Sequence, residues 1–206
     1  MRCANNKILI TKGKEDMVDQ SLPMETVIKL TQLDIKCKLS HEENKHYKLI
    51  IDTTGNAEVF FRYKAHLVEV NKLSLGISLG RTTKEEAVEQ IRKSIVYCMR
   101  AGERLVLQCG KGVVDFREKF DSGPDTLPID LLFNRAEWRK ESNYRRIVRA
   151  DEDHDLMGNK KCYFMNEEFD IIVLSENEDN DEDVKSGVIA AIQPNLKGSF
   201  DIYKIE

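Results

Sequence analysis

A chain of 206 residues, 41% hydrophobic and 33% charged, is long enough and apolar enough for one sizeable core, which excludes a largely disordered polymer. Its net charge of −4 gives no support to phosphate-driven nucleic-acid binding, which needs a basic face, although a net charge leaves room for a local basic patch. No apolar run approaches the roughly 20 residues that span a bilayer, and residues 1–6 lack a signal-peptide core, so a cytoplasmic protein is expected. The odd set Cys3, Cys37, Cys98, Cys109 and Cys162 shows no paired spacing and reads as reduced thiols, with Cys98 and Cys109 as small core residues.

In chain order, residues 7–11 form a short strand candidate. Ser21 and Pro23 then predict the start of a helix carrying Val27, Ile28, Leu30, Leu33 and Ile35 on its apolar side. From Tyr47 the pattern turns β-like, and the contiguous Leu49, Ile50 and Ile51 suit a strand buried on both faces of a parallel sheet. Residues 57–63 suit helix or strand equally. A strand is expected at 67–70, followed by a short helix or irregular crossover to Arg81.

The strongest helix signal covers residues 84–101. Thr83 and Glu86 form a capping box, Val88, Ile91, Ile95 and Met99 line one side, and Gly102 ends it. Leu105, Val106 and Leu107 return as a buried strand, giving half of a βαβ unit. Residues 121–128 are turn-rich, and 129–149 predict one or two helices packed by aromatics. Residues 169–174 form a clear strand, the acidic loop 176–183 follows, and the alternating residues 200–205 suit an edge strand or docking tail.

The expected fold class is α/β, a mostly parallel sheet flanked by helices in a P-loop-like three-layer arrangement. The expected organisation is an N-terminal strand and helix extension (1–46), an α/β core (47–175), and an acidic loop with C-terminal strands packing on or near that core (176–206).

Strand ends that meet helix starts are the usual nucleotide site of such folds, but the motifs fail. A P-loop needs Gly-x-x-x-x-Gly-Lys-Ser/Thr. Around Gly110-Lys111 the fifth position back is Leu105, and Gly112 follows the lysine. The strand at 105–107 ends in Gln108 and Cys109, not in the acidic residues that hold magnesium. A phosphatase reading of Cys109 needs an arginine at 115, where Asp115 stands. Neither Asp151–Asp155 nor Asp179–Asp183 has the Gly and Glu of an EF-hand, and His41, His46, His66 and His154 lack zinc-motif spacing. No catalytic residue, metal ligand or resident cofactor is assigned. The alternative is ATP or GTP with magnesium, held by Asp52, Thr53, Thr54, Gly55, Gly110 and Lys111, although Asp52 reads first as a cap.

The segment Leu49-Ile50-Ile51-Asp52-Thr53-Thr54-Gly55-Asn56-Ala57 resembles the strand and turn Ile-Asp-Pro-Gln-Gly-Gln-Ala in a degenerate AAA module of the dynein heavy-chain motor ring. The likeness extends loosely over 47–175, through the helix ending at Gly102 and the strand after it. Thr53 stands in place of the proline, and Gln108 in place of an acidic residue. The resemblance implies a P-loop-like fold that has lost ATP turnover and serves as a scaffold or protein-interaction module in a cytoskeletal or ciliary assembly. A protein partner is expected, without membrane or nucleic acid, and the acidic loop 176–183 is a candidate contact for a basic surface.

Overall fold

A computed structural model describes residues 25–37, 46–176 and 200–206. Its strands are β1 (Glu25–Ile28), β2 (Tyr47–Ile51), β3 (His66–Val68), β4 (Arg104–Gly110), β5 (Asp170–Ser175) and β6 (Phe200–Ile205). They form one sheet in the order β1-β6-β2-β5-β4-β3. Every pairing is parallel, as the contiguous apolar runs require. β2 is buried along its whole length, and Leu49 and Ile50 face opposite helical layers.

Helices α1 (Leu30–Cys37) and α2 (Asn56–Lys64) cover one face. Ala57 and Phe61 of α2 pack there with Ile50, Val106, Ile172 and Leu174. The opposite face carries α3 (Val70–Ser78), α4 (Lys84–Ala101), α5 (Phe116–Phe120) and the short helices α6 (Ile129–Leu132), α7 (Arg135–Trp138) and α8 (Glu141–Tyr144). This is the expected three-layer α/β fold. α4 has its capping box at Thr83 and Glu86, and Gly102 ends it at φ 73°, where any Cβ would stand 2.7 Å from the Asn166 side chain.

Several boundaries differ from the sequence reading. Val27 and Ile28 belong to β1, not to a helix, because the β-branched run at 26–28 pairs in register with β6 and the helix begins only at Leu30. β6 is not an edge: β1 covers its outer side and β2 its inner side. The strand expected at 67–70 stops at Val68, since Val70 already opens α3. Residues 57–63, left open, are helical. The 129–149 region breaks into three four-residue helices and a 3-10 turn, with Pro128 and Asn134 standing before α6 and α7. The strand candidate at 7–11 and most of the acidic loop lie outside the described residues.

At the amino-terminal edge of the sheet, Lys48 is fully buried and donates to Asp170 at 3.1 Å. Arg135 donates to the other carboxylate oxygen of Asp170, also at 3.1 Å. One carboxylate thus serves two buried cations and ties β2, β5 and α7 together. Such groups remain tolerable inside a core only while paired.

Candidate functional site

β2 and β5 are neighbours, and the strands that follow them in the chain, β3 and β6, lie on opposite sides of the pair. Ligands of open α/β sheets bind at such carboxyl-terminal switch points. The two turns flagged in the sequence both close this edge. Asp52 N–H donates to Ser175 O, and Glu176 N–H donates to Gly110 O, so the ends of β2 and β4 flank that of β5.

Asp52 has no solvent exposure, and both its carboxylate oxygens are engaged. Oδ1 accepts from Thr54 N–H at 2.9 Å and from the Thr54 hydroxyl at 2.6 Å. Oδ2 accepts from Ala57 N–H at 2.5 Å. Ala57 lies in the first turn of α2, where unpaired amides and the helix dipole attract an anion. The Asp52 carboxylate therefore occupies the anion-attracting start of α2. Gly55 precedes α2 at φ 76°, a left-handed turn that lets the chain fold back from Asp52 into the helix.

On the other side of β5, Gly110 has φ 64°, and a Cβ there would come within 2.5 Å of Asn71 Nδ2. Its glycine thus has a packing reason. Thr53, Thr54, Lys111 and Gly112 are exposed. The structure brings the sequence candidates to one edge, but the side chains facing one another across it are others.

Those are Glu58, Gln108 and Glu176. Gln108 is nearly buried, and its amide nitrogen donates to Glu58 Oε2 at 2.6 Å and to Glu176 Oε1 at 2.8 Å. Its Oε1 is buried with no partner among the described residues. Partial burial pushes both carboxyls up. For Glu58, hydrogen bonds from Arg62 and Glu176, with the Arg62 charge and Gln108, outweigh burial and hold it below the usual range. Glu176 stays raised by burial and, despite Gln108, by neighbouring Glu58 and Asp52. Of the two carboxyls, Glu58 therefore ionises the more readily and Glu176 the less. Sequence reading missed it because the three residues lie 50 and 68 positions apart.

The other chemical candidates are occupied structurally. Burial pushes the Cys109 thiol up to about 12, which removes the thiolate a phosphatase needs. In the 151–155 cluster, Glu152 clamps Arg92, Asp153 accepts from Tyr163 N–H, and Asp155 accepts from the Met157 and Asn159 amides. These bonds fold the loop on itself. Among the described residues, no helix is long and apolar enough to cross a membrane.

Comparison of the chain with protein-family models, curated proteins and solved structures gives no match.

Proposed function

We propose that this chain is a non-catalytic scaffold or protein-interaction module, built on a nucleotide-binding-like α/β frame whose phosphate position is filled by its own carboxylate. The observation that carries this reading is the contact of Asp52 Oδ2 with Ala57 N–H at the start of α2. A polyphosphate would have to displace a buried carboxylate that makes two further hydrogen bonds, and would then meet the negative charge of Glu58. The first glycine and the Ser/Thr of a P-loop are replaced by Leu105 and Gly112, and the acidic pair of an NTPase by Gln108 and Cys109.

The partner in this reading is a protein with a basic surface, met by the acidic segment 176–183. The setting is cytoplasmic, and the narrower cytoskeletal or ciliary assignment rests on the resemblance to the degenerate dynein AAA module alone. One observation favours the alternative of an atypical nucleotide site: the turns at 53–55 and 110–112 share one edge of the sheet, on either side of β5. Phosphate release from ATP and GTP with magnesium separates the two. The scaffold reading expects the rate without protein, and turnover that Asp52→Asn abolishes would overturn it.

A further inference from the structure

A second cluster lies away from this edge. His66 opens the edge strand β3, Cys98 lies in the last turn of α4, and Glu103 stands between Gly102 and β4. One donor atom from each residue falls within 4.8 Å of the other two, a combination of histidine, cysteine and carboxylate without parallel among the described residues.

The surroundings hold these donors in place. The Tyr97 hydroxyl donates to Glu103 Oε1 at 3.0 Å, and His66 Nε2 lies 3.1 Å from Ser94 Oγ. The Tyr97 ring leans on the imidazole, with centroids 5.6 Å apart. Ser94, Tyr97 and Cys98 stand at i, i+3 and i+4 of α4 and therefore share one helix face. One face of one helix thus supplies a thiol together with the two side chains that orient the other donors, the outer support that metal ligands characteristically have. Glu103 also lines an open hollow of about 260 Å³ with Lys64, Arg104 and Glu168, so the cluster borders solvent on one side while Cys98 is buried.

Sulfur, nitrogen and oxygen donors together select a borderline-soft dication over magnesium or calcium, which take oxygen alone. Metal–ligand lengths of about 2.0–2.3 Å in a tetrahedron place donors roughly 3.3–3.8 Å apart. Closing from 4.8 Å asks for about 1 Å of movement, which the partly buried side chains of His66 and Glu103 can supply by small torsions. A thiolate and a carboxylate together cancel the charge of a dication. Without a metal, burial and the Glu103 charge keep the Cys98 thiol protonated.

We propose that His66, Cys98 and Glu103 form a binding site for a zinc-class divalent ion, with water in the fourth position. Such an ion would tie the three-residue edge strand β3 to α4 and β4.

Cobalt(II) titration of the full chain, reduced and metal-free, tests this. One equivalent should bind with a thiolate-to-cobalt charge-transfer band and the visible bands of tetrahedral cobalt, and zinc should displace it. Cys98→Ser should abolish the charge-transfer band, whereas Cys162→Ser, at an exposed thiol, should leave it intact. His66→Gln and Glu103→Gln should each weaken binding at least about tenfold, and because both sites are partly exposed they decide the matter even if Cys98→Ser fails to fold. No charge-transfer band, or a band whose affinity is indifferent to both His66→Gln and Glu103→Gln, would overturn the proposal.

Discussion

Replacing Asp52 by alanine removes three hydrogen bonds at once and leaves the Ala57 N–H without its acceptor at a fully buried position. Loss of a helix cap costs about 0.5–2 kcal/mol, and hydrogen bonds to a charged group are worth about 1.5–3 kcal/mol each. These terms share one carboxylate and do not add, so we expect about 3 kcal/mol in all. For a chain of this size that is a fall of about 6–12 °C in the unfolding midpoint. Asp52→Asn keeps an oxygen for the two Thr54 donors but turns an amide toward Ala57, and should cost about 1–2 kcal/mol. Urea unfolding of both variants, with unchanged slope, gives the free energies directly. A carboxylate held ready for a ligand behaves in the opposite way. Its removal relieves repulsion with the neighbouring Glu176 and leaves stability equal or higher, and that result for Asp52→Ala would refute the cap assignment.

Three further expectations concern Glu176, the Asp170 network and the end of α4. Glu176 has a folded-state pKa above its ordinary value of 4.5, so its contribution favours folding below that value and is lost as pH rises through the folded pKa. Glu176→Gln should therefore raise the midpoint at pH 7 and have no effect at pH values well below 4.5, and a destabilised variant at pH 7 would contradict the upward shift of Glu176. Asp170→Asn removes the carboxylate that Lys48 and Arg135 share, leaves the Lys48 ammonium buried beside a neutral amide, and should cost about 3–5 kcal/mol. Lys48→Met leaves Arg135 on Asp170 and should cost less, so the reverse order in urea midpoints would rule out Asp170 as the centre of that network. Gly102→Ala should cost at least about 1 kcal/mol, both for its left-handed φ and for its contact with Asn166, and a neutral change would show that the α4 stop tolerates a side chain.

The parts of the fold legible in the sequence were those whose signal is local. β2 was readable because the contiguous Leu49, Ile50 and Ile51 suit a strand covered on both faces, and α4 because both its caps are written in Thr83, Glu86 and Gly102. β1 was not, since Val27, Ile28, Leu30 and Leu33 are spaced like one helix although a strand ends and a helix begins among them. The position of β6 inside the sheet depends on β1 lying outside it, a pairing across some 177 residues that alternation cannot reveal. At the candidate site the same division holds. Asp52 and Gly55 announced a turn, but the meeting of Glu58 with Gln108 and Glu176, like that of His66 with Cys98 and Glu103, exists only once the strands are ordered.

The central claim is that the phosphate position of this frame is already filled. Thermal unfolding of the chain with ATP, ADP, GTP and non-hydrolysable analogues, with and without magnesium, tests it most directly. A nucleotide present at ten times its dissociation constant would add about 1.4 kcal/mol, or about 3–6 °C, to the native state. We expect no shift at about ten millimolar nucleotide, whereas a magnesium-dependent rise of that size for one nucleotide, absent with the others, would show that Asp52 yields its place and that the frame still holds a ligand.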